Sequence, residues 1–278
     1  MIKVNDELVV VTEFPNKEIL LNGGAIQAAA SRTDIPVIEF KYEDDRDLIK
    51  LMFVKRHLDN HGISDKMILK IRYMPYSRMD REEGNSVFTL KYVGEFINNL
   101  NFHKVIIIEP HSNVTPAVVN KTLSVFPTKV HFMEQTLKII NFNKDEDYLL
   151  FPDAGSMSRY KDLKGFKTLV GHKERDFQTG NITKFAVLGE MEKDKKVLIV
   201  DDLISKGGTF VGYFNGAYSG AGVTAKEMGA KSVYLLTTHC EKAIFDGEIL
   251  KTDYIDGVFT SDSMLEETDV HHKLTILK

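Results

Sequence analysis

The stretch Lys195–Phe210 reads KKVLIVDDLISKGGTF and carries more information about fold and function than any other part of the sequence. Its apolar run Val197–Val200 has the composition of a strand that is covered on both faces of a sheet. Two acidic residues follow this run, and the pair Gly207 and Gly208 then leads into Thr209. Backbone amides in such a turn can converge on an anion, and carboxylates at a strand end can hold sugar hydroxyls or Mg²⁺. The pattern therefore predicts a binding site for a phosphorylated sugar.

Apolar, β-rich runs alternate with helix-length segments along the rest of the chain. The runs that we predict as buried strands are Leu8–Val11, Val37–Tyr42, Met67–Arg72, Val105–Glu109, Tyr148–Phe151, Thr168–Val170, Lys196–Val200 and Ser232–Thr237. The segments with helical patterns are Asp47–His61, Asn85–Asn98, Pro116–Ser124 and Thr224–Gly229. This alternation is typical of α/β proteins with mostly parallel sheets flanked by helices. The polar segment Asn141–Asp147 predicts a division into domains at residues 1–140 and 141–278.

Composition and charge exclude several classes of protein. Of 278 residues, 43% are apolar and 27% are charged, which is ordinary for a folded domain and unlike a disordered chain. The single Cys240 cannot form an internal disulfide, which favours a reducing compartment. The sequence has neither an apolar run of roughly 18–20 residues nor a basic-then-apolar leader. With a net charge of −4, we expect a cytoplasmic enzyme with no nucleic-acid or membrane partner.

The glycine-rich segment resembles the phosphoribosyl-pyrophosphate loop of the phosphoribosyltransferase superfamily. That loop typically reads as an apolar strand, Asp-Asp, two residues, and then Asp-Thr-Gly-Gly-Thr. The resemblance implies an α/β fold of two phosphoribosyltransferase-like domains, each with a mostly parallel sheet flanked by helices. It assigns sugar-phosphate binding to a set of seven positions: Asp201, Asp202, Ser205, Lys206, Gly207, Gly208 and Thr209. The loop alone fits both the transferases and the synthetases that form the activated sugar.

Two segments in the first half are similar to ATP-binding segments of the ribose-phosphate pyrophosphokinase (PRPP synthetase) family. Tyr73–Arg81, YMPYSRMDR, resembles that family's Pro-Tyr…Tyr-Ala-Arg-Gln-Asp-Arg segment. Phe14–Glu18, FPNKE, resembles the Phe-Ser-Asp-Gly-Glu segment that grips the adenine of ATP from a neighbouring subunit. The resemblance implies a homo-oligomer and assigns ATP binding to five positions in these segments: Phe14, Glu18, Arg78, Asp80 and Arg81. A plain surface turn at Phe14–Glu18 and a solvated basic turn at Tyr73–Arg81 are the competing interpretations.

Two further segments are similar to places where the same family binds metal and nucleotide. Glu109–Ser112 resembles the family's Asp-Leu-His-Ser/Ala, so the resemblance implies that His111 contacts Mg²⁺ or the phosphates of ATP. Phe151–Ser156, FPDAGS, resembles Ser-Pro-Asp-x-Gly-Gly, so Asp153 is expected to bind Mg²⁺ or ribose. An aspartate in a Pro-Asp-x-Gly turn can also serve only as a helix cap.

The segment Gly171–Asp176, GHKERD, resembles the family's catalytic Lys-Arg-Arg-Pro loop, with Glu174 in place of the middle cation. The resemblance assigns catalysis to Lys173 and Arg175. Negative charge develops on the oxygens of the transferring group, which cations near that group would stabilise.

The glycine loop departs from the family pattern because Ser205-Lys206 replaces Asp-Thr, which makes the pocket about two charge units more positive. One charge at about 4 Å is worth roughly 4 kcal/mol of raw Coulomb energy at an effective dielectric constant of about 20. The following segment, Thr209–Gly222, is also longer than its counterpart in the family. One interpretation is that a ring of Phe210, Tyr213, Phe214 or Tyr218 stacks on a base beyond the 5-phosphate. The competing interpretation is close packing of this segment against another element, or a flexible insertion. Both departures fit ADP-ribose as the acceptor.

We therefore predict an ATP-dependent pyrophosphokinase that transfers the β,γ-diphosphoryl group of Mg-ATP to the 1-hydroxyl of a 5-phosphorylated ribose and releases AMP. Ribose 5-phosphate is the expected acceptor, and ADP-ribose is the variant. Two alternatives stay open on sequence grounds. One is a phosphoribosyltransferase that consumes PRPP and a nitrogen base, and the other is a non-catalytic, nucleotide-binding regulatory homologue.

Overall fold

The structure, a computed structural model, describes residues 1–175, 182–214 and 216–278; for residues 173–175 and 182–184 it describes the backbone. The chain divides into two compact units, Met1–Phe126 and Pro127–Lys278. Each unit contains a sheet of mostly parallel strands with helices packed on it. The predicted α/β fold class is therefore confirmed.

The first unit is built on a six-stranded sheet. The strands of the whole unit are β1 (Ile2–Val4), β2 (Glu7–Leu8), β3 (Val11–Glu13), β4 (Ile19–Leu21), β5 (Val37–Phe40), β6 (Ile68–Ile71), β7 (Lys104–Ile108) and β8 (Thr122–Val125). Its helices are α1 (Gly23–Ala30), α2 (Arg46–Asn60), α3 (Thr89–Asn99) and α4 (Val114–Val118). The strand order is β2-β1-β5-β6-β7-β8, in which β5 to β8 run parallel. Strands β3 and β4 form a separate antiparallel hairpin.

In the first unit, the central strands of the sheet are predictable from the sequence because they bury apolar side chains. The strands at the periphery are exposed and are not predictable in this way. Strands β5, β6 and β7 supply core side chains such as Phe40, Leu69 and Ile107, which are fully buried. The predicted strand Leu8–Val11 is wrong, because it spans the exposed junction between β2 and β3. The predicted helix Pro116–Ser124 is also wrong in its second half, where the chain forms β8. That edge strand alternates between half-buried and exposed positions and gives no continuous apolar run.

The second unit has a seven-stranded sheet. Its elements in chain order are α5 (His131–Ile139), β9 (Tyr148–Phe151), α6 (Ala154–Arg159), β10 (Lys167–Arg175), β11 (Ile182–Leu188), β12 (Lys196–Ile204), β13 (Gly212–Phe214), β14 (Ala217–Ser219), α7 (Ala221–Glu227), β15 (Ser232–Cys240), β16 (Gly257–Ser261) and β17 (Leu274–Leu277). The strand order is β11-β10-β9-β12-β15-β16-β17, and only the pair β10 and β11 is antiparallel among these neighbours. Strands β13 and β14 form a separate hairpin.

The observed boundary between the units precedes the predicted one. Helix α5 belongs to the second unit because its buried Phe132 and Met133 join the cluster that contains Leu149 of β9. The predicted linker, Asn141–Asp147, is a closed polar turn within this unit. Its Asp147 carboxylate is buried and accepts hydrogen bonds from the amides of residues 143 and 196, at 2.8 Å each. Within the described ranges, no helix has the length and apolar character needed to cross a membrane.

Candidate active site

The carboxyl end of β12 lies at the centre of the second sheet, between β9 and β15. The strand continues beyond the predicted end at Val200, because its ladder with β15 reaches the pair Ile204 and Cys240. Asp201 and Asp202 are therefore strand residues, and their backbones are fixed by the sheet. The glycine loop follows directly, so its position relative to the two carboxylates is also fixed by the sheet.

Asp202 is bound by an arginine that the sequence analysis missed. The side chain of Asp202 is buried, and its Oδ1 lies 2.5 Å from Nη1 of Arg159 at the end of α6. The same guanidinium nitrogen lies 3.6 Å from Oδ1 of Asp201. Any sugar contact from Asp202 would have to compete with this ion pair, so its sugar-binding role stays a prediction.

Asp201 lies in an acidic environment that a single arginine does not balance. Its Oδ1 accepts hydrogen bonds from Oγ of Ser156 and from the amide of Asp202, both at 2.9 Å. Burial, together with the neighbouring carboxylates of Asp202 and Asp153, raises the pKa of Asp201 well above its ordinary value, although Arg159 opposes the shift. Among the described residues, two neighbouring carboxylates and one guanidinium therefore act on the ionisation of Asp201.

Asp153 caps the first turn of α6. Its Oδ1 accepts from the amide of Ser156 at 2.8 Å and lies 3.1 Å from Oγ of the same serine. Asp153 therefore does cap α6, but nothing tests whether capping is its only role, and its metal-binding role stays a prediction. Because a hydroxyl donates one proton, Ser156 can satisfy either Asp153 or Asp201 at a given moment, but not both.

The acidic cluster fits a cation with oxygen ligands. Burial and the carboxylates of Asp153 and Asp202 disfavour the ionised form of Asp201, and the guanidinium of Arg159 favours it. A divalent cation would also favour the ionised form. In the described part of the chain, no group of three or more His, Cys, Asp or Glu side chains has the arrangement of a complete metal site. Mg²⁺ usually takes one or two carboxylates and completes its shell with water and substrate phosphates.

The two glycines of the loop have different functions. Gly207 has a φ of +84°, and a Cβ there would lie 2.2 Å from Cδ1 of Ile249, so this position requires glycine for structural reasons. A Cβ on Gly208 would meet no atom within 4 Å, so that residue borders open space. Within the described residues, the amides of Gly208 and Thr209 have no hydrogen-bond acceptor. These two donors are therefore available to an anion.

The charge of the loop is less positive than its sequence implies. Oγ of Ser205 donates to Oε2 of Glu241 at 2.5 Å, so a carboxylate from the end of β15 contacts the residue that replaces the loop aspartate of the family pattern. Glu241 follows Cys240, which pairs with Ile204, and this strand register brings it to the loop. The expected surplus of about two positive charges is therefore reduced by Glu241, and the exposed Lys206 is the remaining difference.

In the first unit, Phe14–Glu18 forms the tip of the hairpin made by β3 and β4. Phe14 is exposed, its amide donates to the carbonyl of Glu18 at 2.8 Å, and the Glu18 carboxylate accepts from Asn16 at 2.8 Å. Within this chain the segment is an exposed turn, as the competing interpretation expected. Adenine binding by Phe14 and Glu18, and the neighbouring subunit that it implies, stay predictions.

The predicted ATP-binding turn after β6 is held by two tyrosines. Both Tyr42 and Tyr76 donate their hydroxyls to Oδ1 of Asp45, at 2.7 and 2.6 Å. The turn presents Arg78 and Arg81 at the surface, as anion binding would require.

The other residues predicted to bind ATP in this unit lie at exposed or half-buried positions. Nε of Arg81 lies 3.3 Å from Glu83, but both side chains are exposed and such a pair contributes little. Asp80 is half-buried. His111 is half-buried beyond the carboxyl end of β7, where the preceding Glu109 is buried with a φ of +41°. Their roles toward ATP stay predictions.

Lys173 and Arg175 lie on β10, opposite residues 185 and 182 of β11. The predicted strand Thr168–Val170 is therefore too short, and the cations are carried on an antiparallel ribbon rather than on a loop that begins at Gly171. Their side chains lie outside the described part of the structure. The catalytic assignment of both residues stays a prediction.

Comparison with known proteins identifies the family. No protein-family model matches the chain. The ribose-phosphate pyrophosphokinase of Sulfolobus acidocaldarius is 30% identical over 216 residues, which cover 74% of this chain and 68% of that protein. The chain belongs to the ribose-phosphate pyrophosphokinase family. The family member from Sulfurisphaera tokodaii is 27% identical over 251 residues, with 87% and 82% covered.

A solved structure shows the same fold. The phosphoribosylpyrophosphate synthetase from Mycobacterium smegmatis superposes with a TM-score of 0.73 over 97% of this chain and 85% of that one, at 18% sequence identity. The predictions of the family, of an enzyme that transfers diphosphate, and of the fold are thereby confirmed. The chain is therefore an enzyme of this family, and its acidic cluster and glycine loop lie in the second unit.

The acidic cluster predicts opposite stability effects for two conservative substitutions at pH 7. Because folding raises the pKa of Asp201, its carboxyl group stabilises the fold below its ordinary pKa of 3.8 and loses that contribution as pH rises through the folded-state value. Asp201→Asn removes the unfavourable charge and should raise the melting temperature.

Asp202→Asn instead leaves the guanidinium of Arg159, which is 14% exposed, without its main countercharge. It should cost about 3 kcal/mol of unfolding free energy. Calorimetry of both variants at pH 7 measures the contrast. Melting temperatures that move in the same direction would contradict this description of the cluster.

Alanine substitutions at Gly207 and Gly208 should have different effects on stability and on sugar-phosphate binding. Gly207→Ala should lower the free energy of unfolding by about 2 kcal/mol or more, because φ is positive and Ile249 occupies the space. Gly208→Ala should leave the unfolding free energy close to that of the wild type and weaken binding of the sugar phosphate, because its methyl group would face the open side of the loop. Thermal unfolding and titration with ribose 5-phosphate separate the two effects. Equal losses of stability would refute the division of functions.

Proposed function

We propose that the chain transfers the β,γ-diphosphoryl group of Mg-ATP to the 1-hydroxyl of a 5-phosphorylated ribose. The 1-oxygen attacks the β-phosphorus, the bond from that phosphorus to the α,β-bridging oxygen breaks, and AMP leaves with that oxygen. The hydroxyl proton passes to solvent or to a nearby base. Membership of the family supports the reaction class, while the choice of acceptor rests on the loop.

The glycine loop is the observation that carries this proposal. It offers the amides of Gly208 and Thr209 at an open edge, immediately after a strand that ends in carboxylates. Amides that converge in a turn bind a terminal phosphate, and neighbouring carboxylates accept hydrogen bonds from sugar hydroxyls. We assign the 5-phosphate to Gly208 and Thr209 and the ribose hydroxyls to Asp201.

The acidic cluster supports Mg²⁺ as the cofactor. We assign Asp201 and Asp153 to the cation, and His111 of the first unit to the nucleotide phosphates or their metal ion. Bound Mg²⁺ would neutralise charge on the transferring diphosphoryl group. Arg159 orients the cluster through Asp202, from which its Nη1 lies 2.5 Å. The hydroxyl of Ser156 lies within hydrogen-bonding distance of both Asp153 and Asp201 and can donate to one of them at a time.

Lys173 and Arg175 supply the cations that the transferring group needs. We propose that the ribbon of β10 and β11 carries both side chains to the diphosphoryl group, where they stabilise the charge that develops on its oxygens. Arg78 and Arg81 are proposed to hold the phosphates of ATP, since an exposed guanidinium forms forked contacts with phosphate oxygens.

ADP-ribose is the second candidate acceptor, and Lys206 is the observation that favours it. The side chain is exposed beside Gly207, where the family has an uncharged threonine. A lysine there would favour an acceptor whose 5-phosphate continues into a second phosphate. Glu241 moderates this preference, so ribose 5-phosphate stays the first candidate.

Product analysis tests the proposal. The protein is incubated with Mg-ATP and either ribose 5-phosphate or ADP-ribose, and the products are identified by mass spectrometry. We expect AMP together with an acceptor that is heavier by one diphosphate group. If neither acceptor yields AMP, the proposed reaction is wrong. Release of pyrophosphate from PRPP and a nitrogen base would favour a phosphoribosyltransferase instead.

Substitution on β10 tests the catalytic assignment. Lys173→Ala should lower kcat by about 100-fold or more, with a smaller effect on the KM for the acceptor, because charge develops in the transition state. Lys167→Ala is the matched control, since Lys167 begins the same strand and pairs with Glu192 at the surface. It should leave kcat near the wild-type value. Equal losses in the two variants would assign the effect to the strand and not to the catalytic cation.

A further inference from the structure

A hairpin that carries two tyrosines follows the phosphate-binding loop in the chain. The segment that follows Thr209 has a glycine at every fourth position, which disfavours a helix, and the chain forms strands β13 and β14 there. In this hairpin Tyr213 lies opposite Tyr218, and their ring centroids are 4.8 Å apart. The ring of Tyr218 also lies 5.3 Å from that of Tyr254. The three tyrosines form a continuous aromatic row, here called the tyrosine row.

Both ends of the hairpin are fastened to the loop. After β14, the amide of Ala221 donates to the carbonyl of Thr209 at 3.0 Å, and the amide of Gly222 donates to the carbonyl of Phe210 at 2.9 Å. At the start of β13, a Cβ on Gly212 would lie 2.9 Å from the carbonyl oxygen of Gly208. The hairpin therefore holds a fixed position beside the residues that we assign to the 5-phosphate.

Of the four aromatic rings that the sequence analysis considered for stacking on a base, one has the position and exposure that stacking requires. Phe210 is 2% exposed and belongs to the core, so its predicted stacking on a base is wrong. Tyr218 is held between its two neighbouring tyrosines, and its hydroxyl lies 3.4 Å from Glu248. Tyr213 is 58% exposed at the outer end of the tyrosine row. Phe214 is also exposed, but it projects from the opposite face of the hairpin, because successive strand residues alternate between faces.

The tyrosine row is rigid at one end and open at the other. Tyr254 packs against the apolar core of the second unit, and each ring supports the next one outward. A ring so supported loses little conformational freedom when it stacks on another planar ring. A nucleobase presents a π-face of this kind, and stacking on an aromatic side chain does not depend on which base is bound.

We propose that Tyr213 is the stacking surface for an aromatic ring that the acceptor carries beyond its 5-phosphate. The proposal rests on the proposed function, since it assumes that the 5-phosphate binds at Gly208 and Thr209. The ligand class is a ribose phosphate joined through a second phosphate to a nucleoside. Lys206 supplies a cation for that second phosphate, and the hairpin holds the ring of Tyr213 for the base. Ribose 5-phosphate carries no such ring and would not use Tyr213.

Selective kinetics test this assignment in the full-length protein with Mg-ATP. Tyr213→Ala should raise the KM for ADP-ribose about tenfold and leave the KM for ribose 5-phosphate within about twofold. Tyr213→Phe keeps the ring and should behave as the wild type. Phe214→Ala is the matched control, because it removes an exposed ring from the other face of the same hairpin, and it should change neither KM. Thermal unfolding of each variant verifies that the hairpin substitutions leave the fold intact.

The outcomes separate failure of this inference from failure of the proposed function. If the wild type forms AMP with ribose 5-phosphate but does not use ADP-ribose, the reaction stands and the assignment of Tyr213 is overturned. The assignment is also overturned if Tyr213→Ala changes the KM values for both acceptors equally, or changes neither. It is overturned as well if Phe214→Ala raises the KM for ADP-ribose as much as Tyr213→Ala does. If the wild type forms AMP with neither acceptor, the proposed function itself is wrong and the inference falls with it.

Discussion

The ion pair between Arg159 and Asp202 is the interaction on which the candidate active site depends. A buried carboxylate beside a second carboxylate is unfavourable unless a cation is held close to it, and Arg159 reaches both from the end of α6. Burial and the neighbouring carboxylates raise the pKa of Asp201 even though Arg159 opposes the shift. Shifted pKa values of this kind are frequent at functional sites, which is why we propose a cation site at this cluster.

Parallel strands explain how these groups come to lie together. Asp153 lies in the turn that follows β9, the glycine loop follows β12, and Glu241 follows β15. Because neighbouring parallel strands end at the same edge of a sheet, three separate segments contribute polar groups to one place. The hairpin of β13 and β14 is added at this edge and is attached through the backbone around Thr209 and through the ring of Tyr218, which contacts Tyr254.

The sequence predicted the parts of the molecule in which a single local pattern decides the structure. The buried strand at Tyr148–Phe151 and the helix at Asp47–His61 follow from apolar composition and periodicity, and the glycine loop follows from its own residues. Arg159 could not be found in this way, because its partner Asp202 lies 43 positions away in the chain. Edge strands and the hairpin after the loop also escaped prediction, since half-exposed strands give weak patterns and tertiary contacts decide their conformation.

The central claim is that the amides of Gly208 and Thr209 hold the 5-phosphate beside Asp201. A crystal structure of the protein with ribose 5-phosphate measures this directly. The account predicts a phosphate oxygen at a hydrogen-bonding distance of about 3 Å from the amide nitrogens of Gly208 and Thr209, with ribose hydroxyls toward Asp201. A sugar phosphate bound elsewhere on the second unit, with these amides facing only solvent, would contradict it.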